Sequence, residues 1–347
     1  MSSKCYRRCM KAFAAMDPEL PLAAVPAYAR RIEHLGFDGL HVAETIHDSL
    51  AVALLALEHT TRITVRTAVT LAFVRSPTLV AYAAWDLSIL SGGRFELGLG
   101  TQIKQNIQDR FGMPWTEPRS RLRDYVAALE ALFGAFRTGG SLRHEGDHYR
   151  LTRMQPYFNP GPSDAVIPPI WLGAVNAAMC ELAGEVAHGV VTHSTNSDPG
   201  YLRDVVRPAL HRGAVSAGRT TEPLLMASAA IATGDSDAAV ARERERQRRM
   251  LAFLYSTPAY STSLERRGWI DLPDQLRALV RAQQWDDLPT VLSDAVLDEL
   301  VICGRYDELP GMLVARFGHV ADGVVLPALG DENDDRMLEA CVAELRR

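Results

Sequence analysis

Four groups of residues stand where a strand-like run gives way to a loop, and their types and spacing could do chemistry. Phe37–Glu44 ends in a carboxylate, followed by Thr45, His47 and Asp48. A buried acid beside an imidazole can poise a proton donor near neutrality. Asp48 suits equally the N-cap of a following helix, and Glu44 a satisfied buried acid. In the second group, Gly98-Leu99-Gly100 runs directly into Thr101, Gln102 and Asn106. Glycines closing a strand let another group approach the backbone. The third, Gly173-Ala174-Val175-Asn176, is a small-residue turn entering a helix, whose exposed N–H groups suit a phosphate unless Asn176 merely caps it. The fourth, Val191-Thr192-His193-Ser194-Thr195-Asn196, offers His193, with plain turn chemistry as the competing reading.

Other chemistries lack support. Gly98–Ile103 fails the dinucleotide fingerprint because its sixth position is Ile, and no phosphate loop, HExxH or GxSxG motif occurs. The ten histidines do not pair with carboxylates at helical spacing, so no metal site is expected. A net charge of −5 argues against a nucleic-acid footprint or a polybasic membrane anchor. No apolar run is long enough to span a bilayer. Five scattered cysteines, Cys5 and Cys9 among them, read as reduced thiols of a cytosolic, cytoplasmic protein.

These groups need elements to position them, and the chain supplies a regular alternation. Strands are expected at Lys11–Met16, Phe37–Glu44, Ile63–Leu71, Arg94–Gly100, Ile170–Ala174, Val190–His193, Leu224–Ala232 and Val324–Leu326. Helices follow them, among them Leu22–Leu35, Ser49–His59, Pro77–Leu90 and Arg119–Phe136. Arg137–Pro169 reads as an irregular surface excursion, and Leu272–Leu300 as helical throughout. Eight strand–helix units imply a parallel sheet with right-handed crossovers, closed as an α/β (β/α)8 TIM barrel with insertions. One domain over residues 10–347 is expected, with residues 1–9 a disordered N-terminal extension.

The ordered segments FDGLHVAET, TAVTLAFVRSP, AAWDLSILSGGRFELGLGTQ and PPIWLGA resemble the bacterial luciferase-like superfamily of flavin- and deazaflavin-dependent barrel enzymes. ETIHDSL, GTQIKQNIQDRFGMPW, RRMLAFLYSTPAY and LERRGWIDL are similar to a group of coenzyme F-420-dependent oxidoreductases within it. The likeness runs from about Met10 to the C-terminus. It implies a ring lying across the C-terminal mouth of the barrel. Glu44 matches the acid closing strand two; many members follow it with a His, where this chain has Thr45, so His47 is the nearest replacement. Asn106, with Thr101 and Gln102, resembles the ring-contacting amide region. Gly173, Ala174 and Val175 match the phosphate-contacting turn. Thr67-Ala68 falls where some members hold a non-prolyl cis peptide.

The resemblance implies an oxidoreductase passing hydride between the deazaflavin coenzyme F-420 and a small organic substrate with a C=C, C=N or C=O bond. An FMN-dependent monooxygenase and a non-catalytic binding barrel are the alternatives. Lys104 and Arg305 are candidate cations for the cofactor's acidic tail. Glu44, His47 and His193 are the catalytic candidates. A homodimer through the Ala/Leu-rich helices at Ala51–Leu57 and Val80–Leu90 is also expected.

Overall fold

The structure, a computed structural model, describes residues 10–347. The expectation for residues 1–9, with Cys5 and Cys9, lies outside the described residues. Eight short strands form the barrel: β1 (Lys11–Ala15), β2 (Gly39–Val42), β3 (Thr64–Thr67), β4 (Phe95–Gly100), β5 (Ile170–Gly173), β6 (Gly189–Val191), β7 (Leu224–Ala227) and β8 (Gly323–Leu326). Each pairs in parallel with its sequence neighbour, and β8 pairs back onto β1, closing the ring. Helices α1 (Val25–His34), α2 (Ser49–Glu58), α3 (Pro77–Ser91), α4 (Pro118–Thr138), α5 (Ala177–Val186), α6 (Arg207–Ser216), α7 (Leu309–Phe317) and α8 (Asp335–Leu345) are the principal crossover and closing helices. All eight expected strands are present, and the barrel is the expected one.

Local chemistry sets these boundaries. At α3, the Ser76 hydroxyl accepts the Thr78 N–H at 3.2 Å and Pro77 takes a first-turn position that needs no donor. Its other end stops at Gly92, with φ of 63°, so β4 begins three residues later. The buried face of α3 lays Trp85 against Phe133 and Phe136 of α4, ring centroids 6.2 and 5.7 Å apart.

Three expected elements are broken. The run from Ile63 to Leu71 divides at a cis Ala68-Val69 peptide, one bond later than expected, and Thr70–Leu71 then pairs with the end of β4. Leu224–Ala232 divides after β7, because Ala230–Ala232 leaves the barrel to pair with Val301–Cys303. Leu272–Leu300 is not one helix: Gln283 has φ of 58° after the helix Leu272–Arg281, Pro289 interrupts the next turn, and Ser293 caps a new helix, Asp294–Leu300. These pieces, with the helix Asp237–Tyr255, form an insertion between β7 and α7. It has its own apolar cluster, including Leu251, Tyr255, Leu264, Leu276 and Leu297. The excursion before β5 is held to α4 by Asp124, which accepts the His148 and Tyr149 N–H groups and contacts His144 Nε2 at 2.7 Å.

Inside the barrel, one layer beneath its mouth, Arg66 is 1% exposed. Its guanidinium pairs with Glu96, donates to His41 Nε2 at 2.9 Å, and lies 3.3 Å over the Trp171 ring and 4.5 Å over Phe13. Burial lowers the Arg66 pKa to about 10, against the pull of Glu96, so it stays charged at neutral pH. Burial, with the neighbouring Arg66 charge, pushes the His41 pKa well below its ordinary value, keeping that imidazole neutral.

Candidate active site

A cavity of about 580 Å³ opens at the C-terminal ends of β2 to β6, where barrel enzymes carry their chemistry. Its walls mix apolar side chains, Val69, Leu71, Ile103, Trp115, Val175 and Met179, with a few polar ones. Ala68 both lines the cavity and packs on the interior layer, so that layer is its floor.

Of the expected residues, Glu44, Ala68, Thr101, Gln102, Gly173, Ala174, Val175 and His193 line this cavity, as does Lys104. Thr67 does not. Its hydroxyl is wholly buried, donating to the Gly98 carbonyl at 2.8 Å and accepting the Gly98 N–H at 2.9 Å, which ties β3 to β4. Neither Asn106 nor His47 is among the lining residues. Asn106 opens a helical turn, Asn106–Arg110, beyond the strand end, and Arg110 donates to the Thr45 carbonyl at 2.7 Å. His47 sits in the loop leading to Asp48, which caps α2 by accepting from Leu50 and Ala51. Arg305 is also elsewhere, among Asp237, Asp307 and Glu308 on the insertion side.

Glu44 is a saturated carboxylate. One oxygen pairs with Arg75 at 2.7 Å; the other accepts the Leu71 N–H at 2.9 Å and the Ser49 hydroxyl at 3.3 Å. Arg75 also pairs with Asp48 at 2.8 Å. Burial raises the Asp48 pKa, but the Arg75 bond and the capping N–H groups outweigh it and the net shift is downward. Glu44 therefore anchors the turn after β3, which presents Val69 to the cavity. A Cβ on Gly100 would collide with Val69 Cγ2, and one on Gly173 would lie 2.9 Å from Val69 Cγ1. These two glycines make room for the Val69 side chain, an additional reason for Gly173 beyond backbone approach to a phosphate.

Gln102 has φ of 60°, unusual for a residue with a side chain, directly at the cavity. Its Oε1 accepts the Ile103 N–H at 2.9 Å, and Thr101 donates to its carbonyl at 3.1 Å, which hold the bend. Backbone strain of this kind clusters at functional sites. Asn176 does cap α5, accepting the Met179 N–H at 3.0 Å. Asn176, Ala178 and Met179 line the cavity, so the N-terminus of α5, with its positive dipole end, lies beside it. Arg119, unforeseen in the sequence, adds a cation to the wall; it pairs with Glu181 at 3.0 Å and Glu185 at 2.8 Å, while its buried Nε has no partner.

Two residues beyond β6, His193 has Nδ1 held by the Thr195 N–H at 3.4 Å and hydroxyl at 2.9 Å. An N–H donated to Nδ1 places the ring proton on Nε2. Burial pushes its pKa down to about 4, so the imidazole is neutral across the physiological range. Its Nε2–H, unused among the described residues, can donate a hydrogen bond into the cavity.

Arg75, Val69, Trp115, Arg119, Met179 and Tyr260 were not singled out from sequence. Val69 and Arg75 lay within the quoted segment TAVTLAFVRSP, Trp115 within GTQIKQNIQDRFGMPW and Tyr260 within RRMLAFLYSTPAY, but only folding reveals what they touch.

The profile of the luciferase-like monooxygenase family matches residues 10–321, and the chain belongs to that family. It is 39% identical over 313 residues to an uncharacterized protein of Mycobacterium tuberculosis, covering 89% of this chain and 92% of that one. It is 28% identical over 301 residues to a 5,10-methylenetetrahydromethanopterin reductase of Methanolobus tindarius, covering 85% and 86%. Among solved structures, a coenzyme F420 dependent tetrahydromethanopterin reductase from Methanopyrus kandleri superposes with a TM-score of 0.78 at 19% identity, over 96% of this chain and 98% of that one. A type II Baeyer–Villiger monooxygenase from Pseudomonas putida, in complex with FMN, gives 0.66 at 17% identity, over 97% and 98%. These likenesses bear out the fold and an enzyme with oxidoreductase or monooxygenase relatives.

Proposed function

We propose that the protein is an oxidoreductase that transfers hydride between coenzyme F-420 and a small neutral organic substrate. The observation that carries this reading is the composition of the one cavity wall: an apolar surface around Val69, with the N-terminus of α5, Lys104 and Arg119 beside it. An apolar surface fits a flat ring, and a helix N-terminus with two cations fits a phosphate and a further anionic tail. The methanopterin reductases among the relatives, and a putative coenzyme F420-dependent oxidoreductase of Mycobacterium tuberculosis at 26% identity, favour the deazaflavin.

A bound reduced deazaflavin supplies a hydride, two electrons at a time, without readily activating oxygen. The chain's own residues bind and orient. Glu44 and Arg75 fix the turn under Val69, Gln102 shapes the bend beside it, and the Nε2–H of His193 offers a donor to an atom gaining negative charge. An FMN-dependent monooxygenase is the second reading, favoured by the FMN-containing structural neighbour.

Titrating the purified protein with F-420 and with FMN, each followed by fluorescence, separates these readings. Micromolar F-420 binding with FMN at least tenfold weaker is expected. Tighter FMN binding with oxygen consumption on reduction favours the monooxygenase, and binding of neither favours a non-catalytic barrel. We also propose a cytoplasmic homodimer through α2 and α3, where Leu54, Leu79, Ile89 and Leu90 are 45–67% exposed. Sedimentation of the double variant Leu79→Glu, Leu90→Glu as a monomer, against a dimeric parent, checks it.

A further inference from the structure

The cavity wall at β6 carries two aromatic rings from distant parts of the chain. His193 follows β6 by two residues, while Tyr260 lies in the turn Pro258–Tyr260 of the insertion. The rings stack with centroids 4.7 Å apart and planes 11° from parallel, and both line the cavity. The insertion is held on this spot from both sides. Before the turn, the Tyr255 hydroxyl faces the Thr195 carbonyl at 3.5 Å; after it, Arg267 pairs with Asp198 in the loop beyond β6.

The polar atoms of the pair are uneven. Nδ1 of His193 is taken by Thr195, whereas neither Nε2 nor the Tyr260 hydroxyl makes a hydrogen bond among the described residues. Both residues are partly exposed to the cavity, so these two polar groups are free to meet a ligand there. Val191, Thr192 and Ala259 complete this part of the wall, and none is charged. A carboxylate placed against these rings finds no counter-charge among Val191, Thr192, Ala259, His193 and Tyr260 themselves.

We propose that His193 and Tyr260 together receive the acceptor atom of a neutral, largely apolar ketone, aldehyde or imine, and that Tyr260 is the specificity-determining residue. This rests on the reading of the barrel mouth as the site of hydride transfer. Tyr260 thereby gives the insertion a role in the site that the eight barrel units alone do not supply.

The test uses cyclohexanone and cyclohexanecarboxylate as matched probes at millimolar concentration, with binding to the F-420-loaded protein read by saturation-transfer NMR. Cyclohexanone binding at least tenfold tighter than the carboxylate is expected. Tyr260→Phe keeps the stack and removes only the hydroxyl, and should weaken cyclohexanone about 3–10-fold, the worth of one hydrogen bond. His193→Leu should weaken it comparably, and an unchanged melting temperature in Tyr260→Phe separates lost binding from misfolding. No cyclohexanone binding, equal carboxylate binding, or unchanged affinity in Tyr260→Phe overturns the proposal. If wild-type protein does not bind F-420, the hydride-transfer reading falls, while the same probes titrated into the unloaded protein still report on the pair.

Discussion

Two histidines, the buried His41 beneath the barrel mouth and the partly exposed His193 at it, divide the molecule into a closed region and an open one. His41 accepts from Arg66, which is in turn held by Glu96 and sandwiched by Trp171 and Phe13. Its neighbours leave that layer no room for a ligand. His193 has the same neutral state for the same reason, burial, yet one ring nitrogen remains unused among the described residues. Perturbed protonation alone therefore does not mark function here. What sets His193 apart is an open donor facing a cavity.

Breaking the closed layer should cost the most. Arg66→Ala leaves Glu96 without its partner and a void beside Trp171, so a loss of about 3–5 kcal/mol in unfolding free energy is expected by chemical denaturation. Arg66→Met, which fills the volume but still leaves Glu96 unpaired, should recover only part of it, and Arg66→Met with Glu96→Leu more. Gly100→Ala comes next. Its Cβ would strike Val69, costing about 1–3 kcal/mol and loosening cofactor binding, whereas Gly173→Ala, with its contact at 2.9 Å, should do less. The order of the two melting temperatures checks this.

Acid sharpens the contrast between the histidines. Both imidazoles have depressed pKa values in the folded protein, so the unfolded chain binds more protons as pH falls below about 6.5. Stability should thus be fully present above that pH and decline as pH falls toward 4. His193→Gln should remove part of that slope while His41 keeps the rest. The smallest effects belong to the rim cations. Lys104 has no ion pair among the described residues and should contribute more than Arg119, which is already engaged by Glu181 and Glu185. Lys104→Ala should weaken F-420 about 3–10-fold in a titration, less at high salt, and Arg119→Ala less than that.

The barrel was legible because period and punctuation repeat along the chain: an apolar run, a capped helix, a Gly stop. Gly92-Gly93 before β4 is the plainest case. The site was legible where a residue's strand end decided its place, as for Glu44, Gln102, Gly173 and His193. It was not legible where partners come from afar. The Arg75 that saturates Glu44 lies 31 residues on, and the Tyr260 on His193 lies 67 residues on, across an insertion whose helix breaks at Gln283 and Pro289 were hidden by strong helix formers. Asn106 and His47 show the converse, because a loop residue near a strand end in sequence need not line the cavity there.

The most direct test of the open mouth as the functional region is amide hydrogen exchange with and without saturating F-420. Slower exchange is expected in residues 100–106, 173–179 and 191–196, with no change in the groove between Thr233 and Asp334 on the other side of the insertion. Protection confined to that groove, with the barrel mouth unaffected, would contradict the account.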